Sequence, residues 1–185
     1  MNVLRRATVL VVATMVGLGT LVFNASPADA GPFCGLSWGS RPEAAGDHGL
    51  APLGAVRAGR HACFDRVVFE LDGPATGYRV EYVPEVRTEG EGALLPLTGG
   101  AYLNVVLLSN VFDELGHVHY AGSVGDRLDV SGYRTLRDVK FGGCFEGYTT
   151  FGVGVRALLP FRTFTLAGPG DHSRIVVDIA HRWHQ

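Results

Sequence analysis

At 185 residues, 46% hydrophobic and 18% charged, the chain can bury the core of one domain, which excludes a disordered segment and a multidomain assembly. The 16 basic and 18 acidic side chains leave a net charge of −2, and no basic run interrupts the sequence, so a nucleic-acid partner is excluded. Three cysteines are too few for a disulfide-dense scaffold.

The N-terminus carries the pattern of an export signal. Arg5 and Arg6 precede an apolar run from Ala7 to Phe23, and Ala28-Asp29-Ala30 supplies the small residues that signal peptidase accepts. Residues 1–30 therefore read as a signal peptide, with a secreted or envelope-associated product starting at Gly31 and free of the membrane once cleaved. The apolar run approaches the length of a membrane span, so retention as an anchor is the alternative. An irregular arm, 31–52, follows. It is rich in turn formers and holds Trp38 and Cys34. In an exported chain, Cys34, Cys63 and Cys144 allow one disulfide at most. Cys34–Cys63 is the expected pair, because the arm needs a tether and Cys144 falls in a sheet region. Closing such a loop is worth about 3–4 kcal/mol in the chain-entropy picture. No two cysteines have zinc-ligand spacing.

Residues 53–185 read as one domain of short strands. Val56–His61 leads into Phe64–Leu71, which stops at Asp72-Gly73-Pro74; Tyr78–Val83 ends at Pro84. Glu85 to Gly100 is a polar loop. Tyr102–Ser109 is apolar on both faces, as a central strand should be. After a turn at Asp113–Gly116, His117–Ala121 is expected as a short strand. Thr135–Phe141, Tyr148–Arg156, Phe161–Leu166 and Arg174–His181 complete the set, the last two joined at Gly168-Pro169-Gly170-Asp171. The run FDRVVFEL at 64–71 is echoed by HSRIVVDI at 172–179, which suggests paired halves of one domain. Its alternation puts Arg66, Val68 and Glu70 on one face and Val67, Phe69 and Leu71 on the other. No helical window has a clean 3.6 period. Eight or nine mostly antiparallel strands point to an all-β, single-domain β-sandwich, with a closed barrel as the second choice.

Several residues invite a functional reading. On 148–156, Tyr148, Thr150, Gly152 and Gly154 share a face, and successive glycines there need compensation. They form either a flat binding ridge, with Tyr148 stacking, Thr150 hydrogen-bonding and Glu146 beside them, or a place where the chain packs closely on itself. Arg66 with Glu70, Arg174 with Asp178, and Arg162 between Phe161 and Phe164 suit carboxylate recognition or plain cross-strand ion pairing. His117 and His119 have chelating spacing with Asp113 or Glu114, but no third ligand stands at a diagnostic distance, so no metal and no cofactor is expected. Asp171-His172-Ser173 lies in a turn, where neighbours cannot make a triad, and there is no G-x-S-x-G elbow. Cys144 could act as a nucleophile only if a histidine activated it. No enzyme is expected.

The stretches F-E-G-Y-T-T-F-G-V-G-V (145–155), P-F-R-T-F-T-L (160–166) and R-I-V-V-D-I (174–179), with D-R-V-V-F-E-L and G-Y-R-V-E-Y-V upstream, resemble the AMIN-like domain of exported proteins from high-GC Gram-positive bacteria. The resemblance spans about residues 53–182. It implies a β-sandwich and a non-catalytic envelope module that binds peptidoglycan or another cell-wall polymer. A module that pairs with another exported protein is the alternative, and a small hydrolase comes third.

Overall fold

A computed structural model describes residues 34–183, so the segment read as a signal peptide lies outside the described residues. In chain order the strands are β1 (Glu43–Ala45), β2 (Leu53–Arg60), β3 (Phe64–Leu71), β4 (Tyr78–Val83), β5 (Val86–Arg87), β6 (Leu94–Leu95) and β7 (Ala101–Leu107). They continue with β8 (Leu136–Phe145), β9 (Tyr148–Val155), β10 (Phe161–Ala167) and β11 (Ser173–Ala180). One sheet has the order β1-β4-β7-β9-β8, the other β10-β11-β3-β2, and β5 pairs with β6 alone. Every pairing is antiparallel. The chain is an all-β sandwich, with two separate sheets rather than a closed barrel. Among the described residues no helix is long and apolar enough to cross a membrane.

The echoed segments are neighbours. β3 and β11 lie side by side at the centre of the four-stranded sheet, with Val67 opposite Val177. Their inward residues, Val67, Phe69, Leu71, Ile175, Val177 and Ile179, are fully buried. They meet Leu103, Val105 and Leu107 of β7 and Phe151, Val153 and Val155 of β9 in one core. Phe69 and Phe151 bring the sheets together with ring centroids 5.0 Å apart. Each such buried aromatic contributes roughly 1.5–3 kcal/mol of hydrophobic stabilisation.

Polar bonds tie the layers where apolar packing stops. The Tyr78 hydroxyl donates to the Thr163 carbonyl at 3.0 Å, and the Tyr82 hydroxyl to that of Leu159 at 2.8 Å. Asp65 is the deepest joint. Its carboxylate accepts the backbone N–H groups of Thr135 and Leu136 at 2.5 and 3.1 Å, and lies 3.1 Å from Nε2 of His181. It thus holds the start of β8 and the end of β11 to the start of β3 from a fully buried position. Cys34 and Cys63 are disulfide-bonded, with Cα atoms 5.7 Å apart, which anchors the arm beside β3; Cys144 is a free thiol.

Three local expectations change. Glu43–Ala45, inside the supposedly irregular arm, pairs with β4, and the polar loop 85–100 contains the β5–β6 pair. His117–Ala121 is not a strand; only Phe112 bridges Val118. The physical reason is Asp113, whose side chain accepts the N–H groups of Leu115 and His117 at 2.9 and 2.8 Å and so diverts the backbone from a ladder.

Replacing Asp65 with Ala leaves the Thr135 and Leu136 N–H groups without an acceptor in a dry site. The expected loss is about 2–3 kcal/mol of folding stability. Urea unfolding measures it, and an unchanged midpoint would contradict the joint's role.

Candidate functional site

The residues singled out on β9 do not make an open surface. Gly152 faces Leu95 and Leu97, and a Cβ built there would sit 2.8 Å from Leu97 Cδ1. Gly154 lies directly beneath the Thr98 carbonyl, which a Cβ would strike. Asp138, opposite Gly154 in the register, accepts the Thr98 N–H at 3.0 Å and its hydroxyl at 3.2 Å. The glycines are there because the chain's own segment 95–98 lies on them. Thr150 is buried and donates its hydroxyl to Glu89. Tyr148 packs edge-on against His48, at 4.6 Å between centroids. Glu146 occupies the tight β8–β9 turn at φ 48° and is exposed.

Arg162 belongs elsewhere, on the outward face of the other sheet and so on the opposite side of the sandwich. The register there sets three rows across β10, β11, β3 and β2: Arg162-Asp178-Arg66-Gly59, then Phe164-Val176-Val68-Arg57, then Leu166-Arg174-Glu70-Ala55. Asp178 is fully buried beneath two guanidinium groups. Arg66 reaches it with a fork at 2.6 and 2.9 Å, and Arg162 donates Nε and Nη2 at 2.9 Å each. Both guanidinium groups thus share one buried carboxylate. Arg162, with its side chain 43% exposed, also lies over Trp38 at 4.4 Å and Phe164 at 4.8 Å from the ring centroids. Trp38 stands edge-on to Phe64 at 5.5 Å, so the disulfide-tethered arm completes an aromatic and cationic platform.

The same face ends in a groove of about 270 Å³ bordered by Arg57, Glu70, Asp72, Pro169, His172 and Arg174. Glu70 is ion-paired with Arg57. Asp72, read from sequence only as a turn residue, accepts from His119 Nδ1 at 2.6 Å and His172 Nδ1 at 3.1 Å. His119 in turn has Nε2 3.6 Å from Asp113, which holds His117 Nδ1 at 2.9 Å. This alternation of carboxylates and imidazoles gives the scattered histidines partners that no spacing in the sequence could signal. Among the described residues it does not gather into a metal-binding group. The Asp72 carboxylate raises the His119 pKa above its ordinary 6.5, with burial opposing it and Asp113 adding to it. Burial works to raise Asp113, but N–H groups of His117 and Leu115 and the His117 ring hold it down to about 2.

A family model for the AMIN-like domain matches residues 51–181, which span β2 to the end of β11. The chain belongs to the AMIN-like domain family. No curated protein matches the chain. The AMIN-like assignment covers the four-stranded sheet and every strand of the five-stranded sheet but β1, and it leaves out the arm that carries Trp38. It suggests a cell-wall-associated module.

Two expected outcomes follow from this geometry. Gly154→Ala forces backbone movement at Thr98 and is expected to cost about 1–3 kcal/mol. Gly152→Ala, which meets only the ends of leucine side chains, costs less; thermal melts rank the two, and equal melting would refute the close packing. Second, a histidine whose folded pKa is raised stabilises fully below its unfolded value of 6.5, and that contribution fades as pH climbs through the folded value. Asp113 acts oppositely, contributing above 3.8 and losing its effect as pH falls through about 2. The melting temperature is therefore expected to drop as pH rises from 6.5 through the raised His119 value, and the drop to shrink in His119→Gln. Identical pH profiles for the two proteins would remove His119 from the account.

Proposed function

We propose that this AMIN-like domain is a non-catalytic, secreted envelope module that binds peptidoglycan or a related cell-wall polymer through the outward face of β10, β11, β3 and β2. In this reading residues 1–30 are removed as a signal peptide, and 53–185 form the working domain behind the arm 31–52. The observation that carries it is the half-exposed platform of Trp38, Arg162, Phe164 and Arg66 over buried Asp178. A flat sheet with aromatic rings and fixed guanidinium donors can stack on a sugar ring and bond its hydroxyl or carboxylate groups. Glu146, Tyr148, Thr150, Gly152 and Gly154 have no part in this face.

A second reading, pairing with another exported protein, is favoured by one loop. Leu115 and Val118 are 82% and 62% exposed, with Phe112 beside them. Three apolar side chains on one loop suit a protein surface.

Sedimentation of the mature protein with purified sacculi tests the first reading. Wild type should pellet with the wall, Arg162→Ala should bind about tenfold more weakly, and Leu115→Ser should bind as wild type does. Wild type remaining in the supernatant would overturn it, and loss through Leu115→Ser alone would shift the function to the loop.

A further inference from the structure

The sequence echo sets up two equivalent Arg–carboxylate pairs across the β3–β11 ladder, Arg66 opposite Asp178 and Arg174 opposite Glu70. Only the first closes. Glu70 turns instead to Arg57, and Arg174 is left with one long contact, Nη2 to the Ala167 carbonyl at 3.4 Å. Its Nε is enclosed without an acceptor. An enclosed donor of this kind is unfavourable, and nearly all such groups in folded proteins find a partner.

The surroundings identify what is missing. Each acid bordering the groove is already engaged, Glu70 by Arg57 and Asp72 by His119 and His172. Among the described residues, Arg174 is thus the arginine bordering this groove that has no carboxylate partner, beside a volume of about 270 Å³. That volume admits a small group and not a sugar chain. Glu70 and Asp72 keep about a third of their side-chain surface and disfavour a multiply charged phosphate. They tolerate an amine close by.

We propose that the groove is a carboxylate subsite in which the guanidinium of Arg174 binds the free carboxylate of a peptide, with Glu70 and Asp72 accommodating its amino groups. This rests on the wall-binding reading and specifies its ligand as the peptide stem rather than the glycan. A guanidinium fork matches a carboxylate with two parallel N–H donors, which a lysine ammonium cannot reproduce. Arg66 already shows that geometry on the same sheet with Asp178.

The test uses the mature protein and two probes. A short wall peptide with a free C-terminal carboxylate, and the same peptide ending in an amide, are titrated by calorimetry into wild type, Arg174→Gln and Arg174→Lys. Sacculi with and without their stem peptides are pelleted in parallel. The carboxylate peptide is expected to bind wild type, and both the amide and Arg174→Gln to weaken binding about tenfold or more. Arg174→Lys should recover only part of it, with all variants melting alike. Equal binding of both peptides, or of wild type and Arg174→Gln, overturns the subsite. If sacculi bind equally well without stems, the wall reading survives and this subsite does not. If sacculi fail to bind but the carboxylate peptide binds through Arg174, the subsite stands and the wall reading falls. A variant that melts early is judged from the amide comparison on wild type alone.

Discussion

The pairing of β3 with β11 is the constraint on which the remaining structure depends. It joins segments from near opposite ends of the domain, so the second sheet closes only when the last strand arrives. Its inward residues supply Phe69, Leu71, Ile175 and Ile179 to the core, and its outward residues place Arg66 on Asp178. Register and surface chemistry are inseparable here. A one-residue slip would send the arginines into the core and the valines to the surface. Long-range pairing of this kind is slow to find, which makes the buried Asp65 joint and the Cys34–Cys63 bond useful as fasteners at the start of β3.

The two outward sheet faces have been treated differently. On the five-stranded sheet, Asp138 draws the Thr98 backbone down onto Gly154, and Leu95 and Leu97 cover Gly152. Side chains were given up at those positions so that backbone could lie on backbone. On the four-stranded sheet, Arg66 and Arg162 converge on Asp178, Arg57 pairs with Glu70, and the arm places Trp38 against Arg162. Gly152 and Gly154 therefore mark the covered side, and the row of Arg162, Asp178 and Arg66 the accessible one. The chemistry available on the accessible side is recognition by charge and stacking, which matches a family of cell-wall-associated modules.

The near-symmetry of the echo and its failure are equally informative. Two Arg–carboxylate pairs related by the β3–β11 ladder should behave alike. Arg57 on β2 and Arg162 on β10 break the equivalence, because one takes Glu70 away from Arg174 and the other adds a second cation to Asp178. A sheet of four strands has two different outer neighbours, and those neighbours decide which ion pair is saturated and which is left open.

Alternating residues in Phe64–Leu71, Tyr78–Val83 and Phe161–Leu166 were enough to define strands, inward faces and an all-β sandwich, because period-2 burial is a local property of the chain. The motif block from Phe145 to Ile179 was enough for the family, and the need to tether the arm was enough for Cys34–Cys63. The sequence could not say which sheet face stays open. For Gly152 and Gly154 the sequence favoured close packing over a ridge but could not say what packs there, which is Leu97 and the Thr98 carbonyl. Nor could it join Asp72 to His119 and His172, or leave Arg174 unpaired, since those partners come from separate turns. Local periodicity determines what each strand buries. Only the tertiary fold decides what lies on top of it, because that depends on contacts between residues tens of positions apart.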